Sequence, residues 1–309
     1  MQQLTNSSNQ EFAYIFPNRS NKIKHGFYLS REEITVITLS YKVHGDGSSI
    51  EINPPVFIFH GVLADNRQWT GVGKTINRVS KREVYVVDLR NHGKSPKHES
   101  HKYPDLGSDI LELMKKFNMK EASLIGHGMG GMAAMSAALM SVRVVTYSYP
   151  QLHPYGRVVE MLMAMKDIRF DKPKSEEIAQ DQVRKALTKN FDVQDYIMDN
   201  ILSNIKRNPD GTFGWYCNVN VLATQHEHWK SFPYSDMQKK NKIYNGPTLF
   251  IGGKRSNYDL SKIQKLFPQA AIQYITNAGH NVHMDAPEIF YEMTISFLKT
   301  NVYRNSIIK

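Results

Sequence analysis

Short apolar runs alternate with helix-length segments along most of this chain. Val56 to His60 is strand-like, and Val84 to Asp88 follows after a helix-length polar segment. Ile34 to Val43 is also strand-like. Tyr103 to Phe117 repeats apolar residues at helical spacing through Leu106, Ile110, Leu113, Met114 and Phe117. A short run, Ala122 to Ile125, leads into Met129 to Met140, rich in the helix formers Ala and Met, and a further strand follows at Val142 to Tyr147. Such alternation predicts an α/β protein with a mainly parallel central sheet and helices on both faces.

From Pro150 to about Asn245 the character changes to charged, helix-favouring sequence, including Ser175 to Asn190 and Val193 to Ile205, with no convincing buried strand. This stretch reads as a helical cap inserted into the sheet domain at about 150–245. The sheet resumes at Thr248 to Ile251 and Ala271 to Ile275, and Pro287 to Leu298 reads as a closing helix. The expected organisation is an N-terminal extension over 1–33, the capped sheet domain over 34–300, and a loose tail over 301–309.

Composition narrows this picture. A chain of 309 residues is long enough for a sizeable core, and no run approaches the roughly 20 apolar residues of a membrane span. The first residues lack a secretory pattern, so two glycosylation-like triplets, at Asn6 and Asn18, read as chance. Cys217 is the single cysteine, which excludes an internal disulfide and fits an intracellular, reducing compartment. The formal charge of +10 is scattered, with a small cluster at Lys239, Lys240 and Lys242. No basic stripe is interleaved with aromatics, so a nucleic-acid partner is not expected. Arg19, Lys22, Lys24 and Arg31 fall in a segment with few acids, which makes a weak mitochondrial presequence and leaves cytoplasm or mitochondrion open.

The candidate chemistry centres on Gly126-His127-Gly128-Met129-Gly130-Gly131. Lying between a predicted strand and a predicted helix, it reads as a nucleophile elbow, G-x-S-x-G, in which glycine holds the serine position. Phe59-His60-Gly61-Val62, Asp88-Leu89-Arg90-Asn91-His92-Gly93-Lys94-Ser95 and Asn277-Ala278-Gly279-His280 each follow a predicted strand. In order and spacing these motifs resemble the α/β-hydrolase superfamily. From about Ile34 to Leu298, with Pro247 to Gly253 and Trp215 to Gln225 especially close, the chain resembles its abhydrolase-domain-containing protein eleven branch. The resemblance implies a serine esterase or lipid hydrolase, mitochondrial in animals, with its nucleophile on the elbow and a histidine after the last strand.

Hydrolysis by such a site needs a hydroxyl, an imidazole to take its proton, a carboxylate to orient the imidazole, and backbone amides for the oxyanion. His280 is the candidate base, with His283 a bystander. Met129 and Val62 are the expected oxyanion amides. The resemblance puts the acid either at Tyr147 or at Asn257, and neither is acidic; Asp259 lies close by but also stands where it would cap a helix over Leu260 to Phe267. Ser123 is expected within the elbow strand, His127 to point elsewhere, and Cys217 to belong to the cap, so none replaces the hydroxyl.

His226-Glu227-His228 has i, i+2 spacing and no evident third ligand, so no metal is expected, and no cofactor is implied. Trp69, Trp215, Trp229, Phe232 and Tyr234 fit either an apolar pocket under the cap or ordinary packing. Two functional classes follow. One is a non-hydrolytic member that binds a small apolar ester or acyl ligand, or a protein partner. The other is an enzyme after all, through a water activated by His280 or through proton-transfer chemistry.

Overall fold

The computed structural model describes residues 34–45, 53–141, 144–149, 156–170, 173–256 and 261–302. The expected extension over 1–33, Asn257, Asp259 and most of the tail lie outside the described residues. Chain contacts divide the molecule into Met1–Thr35 and Val36–Lys309; the second unit has the architecture that follows.

Its described strands form a seven-stranded sheet of order β1-β3-β2-β4-β5-β8-β9. They are β1 (Ser40–His44), β2 (Val56–Phe59), β3 (Val84–Asp88), β4 (Ala122–His127), β5 (Val144–Tyr149), β8 (Thr248–Gly253) and β9 (Ala270–Ile275). β1 runs antiparallel to β3, whereas the other neighbours are parallel. The strand expected from Ile34 begins later, at Ser40. Ser40 pairs with Asp88, where β3 ends, and upstream the Ile37 amide donates to Asp109 Oδ1 instead of to a strand.

Period-two alternation divides the core. Val56 and Ile58 of β2 face a cluster with Trp69 and Ile76 of α1 (Asn66–Ser80) and Phe290 and Leu298 of α11 (Pro287–Val302). Phe57 and Phe59 face the other cluster, with Leu106 and Ile110 of α2 (Tyr103–Lys116) and Met132 of α3 (Met129–Met140). Truncating either phenylalanine to alanine costs about 3–5 kcal/mol by the usual large-to-small rule. α1 starts at a capping box: Asp65 accepts from Arg67 N, and Gln68 Oε1 accepts the Asp65 amide at 3.1 Å. α3 is buried on almost every side, as its Ala- and Met-rich sequence requires.

Between β5 and β8 stands the inserted cap. It contains α4 (Gly156–Asp167), α5 (Glu176–Thr188), α6 (Asp195–Ser203), α7 (Val219–Thr224), α8 (His226–Trp229) and α9 (Tyr234–Lys239). The segment expected to hold no convincing buried strand contains one short, mostly part-exposed hairpin, in which β6 (Ile205–Arg207) pairs with β7 (Phe213–Trp215). Its turn is built locally: Gly211 has φ 84°, and Asp210 Oδ1 accepts from Thr212 N at 3.0 Å. So short a hairpin leaves almost no apolar alternation to read. The helix expected over Leu260 to Phe267 is a 3₁₀ turn, Ser261–Lys265, and α10 (Val282–Asp285) precedes α11.

The cap is stitched to the sheet body. Asn204 Nδ2 donates to the Leu63 carbonyl at 2.8 Å, the Asn218 amide to the Asn91 carbonyl at 2.7 Å, and the Tyr103 hydroxyl to the Trp229 carbonyl at 2.5 Å.

Candidate functional site

β4 ends at His127 and α3 begins at Met129, so Gly128 makes the whole turn between strand and helix, at φ 53° and ψ −116°. A residue with a Cβ is strained in this region by about 1–3 kcal/mol, and glycine is not. The corner is tight because of its neighbours. A Cβ on Gly126 would run into the Gly130 backbone, and one on Gly130 into the carbonyls of Phe59 and His60. Strand, helix and the end of β2 therefore touch backbone to backbone.

Met129, as the first residue of α3, has an amide with no carbonyl one turn back inside the helix. Val62 follows Gly61 after β2 and is half-buried. His60 contributes no chemistry here. Its Nε2 accepts the Leu89 amide at 3.0 Å, so Nδ1 carries the proton and donates to the Gly61 carbonyl at 2.7 Å. Both ring nitrogens are occupied, and the imidazole staples the turn to β3.

His280 lies between β9 and α10. Its ring centroid is 4.4 Å from that of His127, and its carbonyl lies 3.3 Å from His127 Nε2. His283 adds a third ring, 5.0 Å from His127 and stacked 4.2 Å from Trp69. Burial is the main cause that keeps all three below the ordinary histidine range; the neighbouring histidines add to it for His280 and His283, and His127 falls to about 4 although the His280 carbonyl opposes the shift. Each is neutral at pH 7. The His280 loop is held by Asp285, whose Oδ2 accepts the Gly279 amide at 2.6 Å, and by the Arg255 amide on the Ala278 carbonyl. Tyr196 of the cap bonds Asn281 in the same loop.

His127 does not point elsewhere, as its place beside the elbow suggested. It joins the loop that carries His280. The signal was in the strand: Ile125 faces the Trp69 cluster, and two residues on His127 must face the same side. Ser123 is engaged, accepting from Arg82 at 2.6 Å. Cys217 is buried in the cap segment, which pushes its thiol up to about 12 and makes it unreactive.

The acid positions are less visible. Tyr147 lies in β5, in register with Ile125 and Leu249, while Asn257 and Asp259 are outside the described residues. Trp69 stands apart from the other four aromatic candidates, since Trp215 and Tyr234 pack against the cluster that holds Trp229 and Phe232. Trp69 belongs to the cluster beneath α1, Trp229 and Phe232 to the opposite core, and Trp215 packs 5.3 Å from Phe170. His226 places Nε2 3.1 Å from Glu227 and Nδ1 2.8 Å from the Ala223 carbonyl. Among the described residues no group of three His, Cys, Asp or Glu side chains is placed to hold a metal.

The Asp88–Ser95 motif proves to be scaffold. Asp88 accepts from the Asn66 amide and side chain and from the Lys94 amide, which closes the turn at Gly93, φ 50°. Arg90, fully buried, donates through Nε and Nη2 to Asp109 at 2.7 and 2.8 Å, and its Nη1 lies 3.5 Å from Asp105. Asn91 ties the cap to this loop through Asn218.

A sequence profile described as "Alpha/beta hydrolase family" matches residues 56–293, which include the elbow and His280. The chain belongs to the alpha/beta hydrolase family. This alpha/beta hydrolase is 32% identical over 284 residues to a zebrafish (Danio rerio) protein named sn-1-specific diacylglycerol lipase ABHD11, covering 85% of this chain and 83% of the relative. It is 29% identical to the mouse (Mus musculus) protein of the same name, covering 86% and 87%. A solved structure titled "Marine microorganism esterase" superposes with a TM-score of 0.70 at 25% identity, over 84% of this chain and 99% of that one. Among the described residues no helix is long and apolar enough to cross a membrane.

Proposed function

We propose that this alpha/beta hydrolase keeps the binding frame of an ester or lipid hydrolase but does not turn over esters by serine chemistry. The observation that carries this reading is Gly128, which has the strained dihedral angles of an elbow and no side-chain atom to attack a carbonyl. Losing the nucleophile of a triad costs about a million-fold in turnover, and a residual ~10³ to 10⁴ over water from the oxyanion site is not useful ester cleavage. The names of the relatives, diacylglycerol lipase and esterase, support a small apolar ester or acyl group as the ligand class.

The proposed division of labour follows from what a glycine leaves intact. Backbone amides are unaffected by side-chain loss, so Met129 and Val62 are assigned to hold a carbonyl or carboxylate oxygen. His280, neutral and beside the elbow, is assigned as the proton acceptor. Asp259 remains the acid candidate, with Asn257 and Tyr147 the positions lacking a carboxylate. A second reading has His280, beside the elbow, activating a water directly, with burial lowering its basicity.

Labelling with a fluorophosphonate, together with hydrolysis of p-nitrophenyl butyrate and binding of oleate, tests the proposal. The native protein is expected to take no label and show no turnover while binding oleate, and Gly128→Ser is expected to take the label. Hydrolysis by the native protein that disappears in His280→Ala would establish the second reading and reject the first.

A further inference from the structure

A cleft lies where the cap meets the loop after β3, lined by none of the elbow residues. It has a volume of about 370 Å³ and is lined by Lys97, Lys166, Asp167, Arg169, Trp215, Cys217 and the segment Asn218 to Asn220. Its three cations come from two separate places. Lys166 and Arg169 stand at the end of α4, while Lys97 belongs to the loop after the Asp88–Ser95 motif and reaches across to donate to the Trp215 carbonyl at 3.1 Å.

The local requirements of a helix end account for part of this arrangement. A lysine in the last turn of α4 complements the negative end of the helix dipole, which explains Lys166. It does not explain Lys97, whose ammonium is held at the cleft by the Trp215 carbonyl and, among the described residues, by no carboxylate. Burial and the nearby Lys206 both lower its pKa, so the ammonium sits where positive charge is disfavoured. Among the described residues no ion pair joins Lys97, Lys166 or Arg169 to a carboxylate. Asp167 is the acid in the wall, against three cations.

We infer that this cleft binds a phosphate group. Two ammoniums and a guanidinium fork match the charge and the several acceptor oxygens of a phosphate, and the guanidinium can engage two oxygens at once. The volume falls in the range of small-molecule sites, so a phosphate monoester with a small organic part fits as well as the bare ion. Trp215 and Val219 provide an apolar wall for that part. This site neither uses nor requires the elbow, so it stands whether or not esters are cleaved.

The test is titration of the full chain by calorimetry and thermal melting with inorganic phosphate, with glycerol 3-phosphate, and with vesicles containing phosphatidic acid, all at constant ionic strength. Saturable binding of either soluble phosphate, weakened about tenfold or more by Lys97→Ala and by Arg169→Ala, is expected; Lys239→Ala, on another helix, leaves it unchanged. Binding to the vesicles that needs Lys97 and Arg169, with little for the soluble probes, identifies a lipid phosphate as the source and also supports the site. No binding to any of the three, or binding weakened equally by Lys239→Ala, overturns it, because diffuse surface charge would then suffice. Arg169→Ala keeps the test open should Lys97→Ala fail to fold.

Discussion

Arg90 and the cap cleft show two opposite ways of placing positive charge. Arg90 is fully buried, and its guanidinium is matched by Asp109 in two hydrogen bonds with Asp105 close by. The cleft gathers Lys97, Lys166 and Arg169 at the surface with one acid among them. In the first region the sequence supplies the counter-charge, and the network joins the loop after β3 to α2. In the second, no carboxylate among the described residues forms an ion pair with the three cations. A buried cation must be paired because an unmatched charge in the interior is far more costly than one that water can reach.

This difference predicts how the two regions respond to change. The largest effect is expected for Asp109→Ala, which strands a buried guanidinium and should cost about 3–5 kcal/mol in urea unfolding. A loss below about 1 kcal/mol would mean that Asp105 can replace it.

Acid offers a second way to break the comparison. His92 and His127 are held down to about 3 and about 4 by burial, whereas in the unfolded chain they titrate near 6.5. The unfolded state therefore binds more protons between pH 6.5 and about 4, and stability falls as pH falls through that window. The slope is roughly 1 kcal/mol per pH unit for each such histidine. Asp109 opposes this, because burial raises its carboxyl to about 6 despite Arg90; its contribution is greatest below the unfolded value and is lost as pH rises through about 6. Urea melts at pH 6.5 and 5 measure the balance, and a flat profile would contradict neutral burial of the histidines.

Gly128→Ser should lower stability by about 1–3 kcal/mol, since serine must adopt a positive φ that glycine enters freely. An equal or higher melting midpoint would show that the corner carries no strain. Smallest of all, Lys97→Ala should stay within about 0.5 kcal/mol of the native protein without phosphate, because what it removes is a charge with no carboxylate partner among the described residues and a single hydrogen bond to a backbone carbonyl.

Much of this was legible in the sequence wherever burial imposes a pattern. β3 and α3 have the bounds that their apolar runs predict, and the strand–glycine–helix junction stands where the hexapeptide placed it. Pattern was weaker where partners are remote. The start of β1 depends on where β3 stops, and the β6–β7 hairpin is too short to show alternation. The hexapeptide motif gives no direction for His127, whereas alternation from Ile125 puts it on the side where it meets His280. The role of Asp285 in holding the Gly279 amide has no signal in the sequence, since six residues of loop and turn must fold back before the two meet.

The close approach at Gly126 and Gly130 has a consequence for redesign. The shape of the bend comes from these flanking positions, where backbone meets backbone and any side chain would wedge strand from helix. Residue 128 inherits that shape without creating it. Installing a reactive group there is thus a single replacement on a prepared mount, whereas moving the mount would mean rebuilding three elements together.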